Sequence, residues 1–162
     1  MTLKQGLLIA ALSIFITPAW AGSACFTPEQ RQAEQWLHLH SDLMVIAVTC
    51  RQDSYGQSLS DEYVAFTHKN IRALHKAEQT IMAYYKATSK RDPIERLDQL
   101  RTRLGNEAAQ KAARMSAPEF CGQYRDNIAR FAAASPQTLD AEIRKRTSTK
   151  PCGAAAKKKK GG

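Results

Sequence analysis

Apolar positions recur along this chain at three- and four-residue spacings, and each apolar run opens on a serine, threonine or aspartate followed within two residues by proline or an acid. That is the punctuation of helices. Thr27-Pro28-Glu29-Gln30 offers an N-cap threonine, proline at the first helical position and a glutamine placed to complete a capping box. The helix it opens carries Ala33, Trp36, Leu37 and Leu39, then runs almost wholly apolar from Leu43 to Cys50, which predicts contact on all sides and the centre of the core. Val45 to Thr49 has strand propensity, but continuity with the capped segment favours helix. After a turn cluster from Asp53 to Ser58, Ser60 can cap a long second helix with Tyr63, Phe66, Leu74, Ala77, Ile81 and Tyr84 on one face.

Asp92-Pro93-Ile94-Glu95 opens a third helix, striped by Ile94, Leu97, Leu100, Leu104, Ala108, Ala112 and Met115. Ser116-Ala117-Pro118-Glu119 opens a fourth with Phe120, Tyr124, Ile128 and Phe131, and Ser135-Pro136 a short fifth with Leu139 and Ile143. With no valine-threonine alternation and short linkers, the expected fold class is all-α: an up-down helical bundle of four main helices, the fifth across an end.

The amino terminus follows another pattern. Lys4 precedes an uncharged apolar stretch from Leu7 to Ile16, and Pro18 is followed by Ala19-Trp20-Ala21, the small-x-small signature of signal-peptidase cleavage. Residues 1–21 therefore read as a signal peptide, and the product from Gly22 as periplasmic or secreted. The apolar stretch is half of the ~20 residues needed to span a bilayer, and no later segment comes closer, so no transmembrane segment is expected. A lipid anchor on Cys25 is disfavoured, because Gly22 stands where the attachment signal wants a large aliphatic residue.

Charge divides the remainder. Of the 24 lysines and arginines, Lys4 leaves with the leader and eight lie beyond Ile143, so the body from Gly22 to Ile143 holds 15 cations against 15 acids. The excess positive charge sits in Arg144, Lys145, Arg146, Lys150, Lys157, Lys158, Lys159 and Lys160. Residues 22–147 form the expected helical domain, and 148–162 a basic, low-complexity tail with too little apolar surface to order itself. Without interleaved aromatics this cluster suits an envelope polyanion met as point charges, not a specific nucleic acid; the plain alternative is a solubilising tail without a partner.

Four cysteines survive cleavage and allow three pairings. A continuous helix from Pro28 to Cys50 would be about 33 Å long at ~1.5 Å per residue, whereas disulfide partners need Cα atoms within about 7 Å. Cys25 with Cys50 is excluded. In an up-down bundle the start of the fourth helix returns to the pole of Cys50, which pairs Cys50 with Cys121 and leaves Cys25 for Cys152.

Catalytic and metal chemistry find little purchase. His68 and His75 lie seven apart on one helix beside Arg72 and Lys76, and His38 and His40 point to different sides of another, without a zinc-binding motif. No metal or other cofactor is expected. Paired cysteines leave no nucleophile, and none lie close enough for thioredoxin-like redox chemistry. Helical carboxylates such as Glu95 and Asp98 have cations at helical spacing, as on a solvated face. Tyr84, Tyr85, Lys86, Lys90 and Arg91 could form a platform for glycan or lipid head groups, but the better reading buries Tyr84 and leaves the Tyr85 hydroxyl in water.

Leu43-Met44-Val45 leading into Cys50, Tyr63 with Phe66, Leu104-Gly105-Asn106-Glu107-Ala108 and Phe120-Cys121 together resemble uncharacterised, exported helical proteins of Gram-negative bacteria, from Cys25 to about Phe131. The resemblance implies the fold and two of the cysteines and carries no activity. The expected function is that of an exported, non-catalytic helical domain that binds an envelope component or partner protein. The alternative is an envelope hydrolase or redox enzyme whose residues meet only in three dimensions.

Overall fold

The structure, a computed structural model, describes residues 26–147 apart from Asp53. Among these residues the chain is all-α. Its helices are α1 (Pro28–Cys50), α2 (Leu59–Lys69), α3 (Ile71–Thr88), α4 (Pro93–Ala113), α5 (Ala117–Tyr124), α6 (Asn127–Ala133) and α7 (Pro136–Thr147). The punctuation read from sequence sets most starts. Thr27 Oγ1 accepts from the Gln30 amide while the Thr27 amide donates to the Gln30 side chain at 2.8 Å, closing the capping box. Asp92 and Ser116 cap α4 and α5, and Ser135 accepts from the Thr138 amide ahead of α7.

Two long helices of the sequence reading are each divided. Asn70 separates α2 from α3 because its amide side chain donates to the Phe66 carbonyl at 2.8 Å, giving the backbone a competing partner at φ −106°. The cap of α2 is Ser58, not Ser60, since Ser58 Oγ accepts from the Asp61 amide. Downstream, α5 and α6 meet at Arg125 and Asp126, where the Asp126 carboxylate takes hydrogen bonds from the amide and hydroxyl of Ser54.

Helix α1 is the axis of the molecule and touches each of the other six. The Phe26 ring meets Tyr84 edge-on with centroids 4.7 Å apart, so α3 ends where α1 begins. Helix α4 returns along α3, with the Arg101 and Glu78 side chains paired and the Arg96 guanidinium 5.0 Å above the Tyr85 ring. The core joins Trp36, Leu43 and Ile46 of α1 to Phe66, Leu74, Ile81, Leu97, Leu100, Leu104, Phe120, Ile128 and Leu139.

Burial corrects three expectations. The second half of α1 is not enclosed on all sides: Val48 is 74 % exposed and Met44 40 %, because neighbours cover only the face of Leu43, Ile46 and Ala47. Ile94 is 60 % exposed, since in the first turn of α4 it lies before the face begins at Leu97. Tyr85 is the more buried of the two tyrosines, in the four-residue row from Ala77 through Ile81, and Tyr84 is only partly buried. Helix α7, expected across an end, lies along the first half of α1, tied by Gln32 and Trp36 to Asp140.

Candidate functional site

One end of the bundle is closed by tight local geometry. Cys50 and Cys121 are joined as a disulfide, with Cα atoms 5.4 Å apart, and the cysteines among the described residues are all bonded. Immediately after, Arg51 adopts φ +61° and Gln52 N–H donates to the Cys50 carbonyl at 2.7 Å, a γ-turn of the rare hand. The loop is then pinned by Ser54 to Asp126, with Arg125 Nε donating to Ser54 Oγ at 3.0 Å. These hydrogen bonds hold the Asp126 carboxyl below the usual carboxylate range, the Ser54 side chain contributing most.

At the other end a groove of about 800 Å³ opens between α1, α3 and α7. Its origin is local and steric. Helix α3 presents Ala73, Ala77 and Thr80 towards it, α1 presents Ala33, and α7 packs on α1, leaving the angle between α7 and α3 unfilled. Trp36, 3 % exposed, forms the floor. Its indole N–H donates to Asp140 Oδ1 at 3.1 Å, Gln32 donates to the same oxygen at 2.6 Å, and Arg144 pairs with Oδ2 at 2.7 Å. Asp140 is thus an occupied acceptor that holds the wall to the floor. On the rim, Arg72 and Lys76 are exposed, and neither side chain has a partner among the described residues. Glu29, the other carboxylate of the groove, lies in the first turn of α1 at the far end.

The histidines do not converge on this groove. His40 Nε2 lies 2.8 Å from the Tyr63 hydroxyl and 3.3 Å from Thr67 Oγ1, a packed polar cluster between α1 and α2. Burial, then the Arg101 charge, lowers the pKa of His40, while burial raises that of Tyr63. Among the described residues no group of three His, Cys, Asp or Glu side chains could hold a metal ion, and no helix is long and apolar enough to cross a membrane.

Of the cations expected to meet a polyanion, Arg144, Lys145 and Arg146 fall on α7. Arg144 is engaged with Asp140, and Lys145 is also in contact. Lys150, Lys157, Lys158, Lys159 and Lys160 lie outside the described residues, as do Cys25, Cys152 and the expected leader. Pro28, Glu29 and Thr147 line the same groove, which brings the two ends of the described chain to one place. Sequence reasoning missed Trp36, Arg72, Lys76 and Asp140 as site residues. The available signal was the alternation Arg72-Ala73 and Lys76-Ala77, which sets cations beside small residues one turn apart.

No protein-family model, curated protein or solved structure matches this chain.

Proposed function

We propose that this chain is an exported, non-catalytic binding domain for a component of the cell envelope, and that it binds through the groove between α1, α3 and α7. The observation that carries this reading is the groove: its volume of about 800 Å³ falls within the ~300–1,000 Å³ of small-molecule sites, with an apolar floor and polar or charged side chains around it. Its one central carboxylate, Asp140, is saturated by Gln32, Trp36 and Arg144, which suits a structural role better than proton transfer. An up-down course underlies the site, with α2 and α3 forming one broken stroke and α5, α6 and α7 another. That course delivers Thr147 to the start of α1, where a bond between Cys25 and Cys152 would tie the groove's open end, five and three residues beyond Thr147 and Pro28.

The chain from Gly22 contains Trp36 as its single tryptophan, so its emission reports on the groove floor. Titration with lipid, lipopolysaccharide and peptidoglycan fractions of an envelope should give a saturable change with at least one fraction. Ala73→Leu, which fills the groove from α3, should suppress it. Saturable binding that Ala73→Leu leaves intact contradicts the groove as the site.

The cationic tail supports a second, separable contact with a polyanion, because the body to Ile143 has no net charge to contribute. Replacing Lys157, Lys158, Lys159 and Lys160 by Gln should abolish cosedimentation with anionic vesicles, and the native chain should release them as salt rises. Binding that survives both changes rejects the tail.

A further inference from the structure

The charges around the groove are arranged by sign. Arg72 and Lys76 stand on successive turns of α3, with Pro136 and Gln137, the start of α7, lining the same groove. The positive end of the α7 dipole favours an anion, and so do both cations. Helix α3 ends beside Phe26 and begins at Ile71, so Arg72 lies at the end of the groove away from Glu29. Asp140 and Arg144 neutralise each other between them. An elongated ligand therefore meets positive charge at one end, an apolar floor of Ala33, Trp36, Ala73 and Ala77 along its length, and no unpartnered donor in that floor.

Resting on the groove reading above, we infer that the ligand is a fatty acid, its carboxylate on Arg72 and Lys76 and its acyl chain along Ala33, Trp36, Ala73 and Ala77. The Arg72 fork matches a carboxylate bidentately, and Lys76 adds a second charge one turn along. A neutral amphiphile leaves both cations unanswered, and a cationic one is repelled. The cationic tail does not fit the same place, since Arg72 and Lys76 repel it.

The test is titration of the chain from Gly22 with dodecanoate below its micellar concentration, read by Trp36 emission and repeated with dodecanol and dodecylammonium. A saturable one-to-one change with dodecanoate is expected, at least about tenfold tighter than with either comparison ligand. The paired substitution Arg72→Gln and Lys76→Gln, both on the exposed rim, should weaken dodecanoate by a similar factor and leave dodecanol unaffected. Replacing the four terminal lysines by Gln should leave the affinity in place, which separates the groove from the tail. Equal affinity for dodecylammonium, or indifference to the paired substitution, overturns the assignment. If an envelope fraction moves Trp36 while dodecanoate does not, the groove reading stands and the fatty acid is wrong.

Discussion

The two ends of this bundle are built on opposite principles. At the pole of Cys50, a disulfide, a γ-turn and the Ser54 to Asp126 bonds fasten the loop between α1 and α2 to the joint of α5 and α6. Around Trp36 and Asp140, α7 packs on α1 while small side chains of α1 and α3 line the space beside it, so α7 and α3 stand apart. One end spends its side chains on fixing the chain, and the other on leaving room. A small domain can hold a concave site open only where another part supplies the order, because each void forfeits packing contacts.

The largest test of that division is the disulfide. Replacing Cys50 and Cys121 together by alanine should lower unfolding free energy by about 2–5 kcal/mol, measured as a shift in urea midpoint. If the pole acts as the anchor, Trp36 emission in the folded variant should change little. Next is Asp140→Asn, which keeps an acceptor but removes the charge shared by Gln32, Trp36 and Arg144. As the site is half-exposed, the expected cost is about 1–2 kcal/mol. Here the Trp36 emission should shift even without ligand, the reverse of the cysteine variant.

Between the two ends lies His40, whose folded pKa is held below its ordinary 6.5 by burial and then by Arg101. The unfolded chain therefore takes up the proton first. Stability is complete above about pH 6.5 and falls as pH drops below it. Urea midpoints from pH 7.5 to 5.5 should decline in the native chain and decline less in His40→Gln. The smallest effect is expected at Arg51: glycine adopts its φ of +61° without a Cβ penalty, so Arg51→Gly should stabilise the tied pole by about 1 kcal/mol.

Legibility in the sequence followed the same boundary. Thr27, Asp92, Ser116 and Ser135 announced their helices because a cap is satisfied by neighbours two or three residues away. Cys50 with Cys121 was legible because helix length and direction leave few geometries. The break at Asn70 was not, since the apolar spacing continues across it and only a side-chain bond to Phe66 marks the bend. Nor was the exposure of Met44 and Val48, which depends on how far neighbouring helices reach around α1. The groove was the least legible feature, because Ala33, Ala73 and Ala77 read as ordinary core alanines until α7 is seen to pack on α1 and leave the angle to α3 unfilled.

The most direct test of the open end as a binding site is residue-by-residue mapping of amide and indole chemical shifts in the isotope-labelled chain from Gly22, titrated with envelope lipid extract. The account predicts saturable shifts at the Trp36 indole N–H and at the amides of Ala33, Ala73, Ala77 and Asp140. Ser54, Cys121 and Asp126 should stay still. Shifts centred instead on Met44, Val48 and the disulfide pole, with the Trp36 indole unmoved, would contradict it.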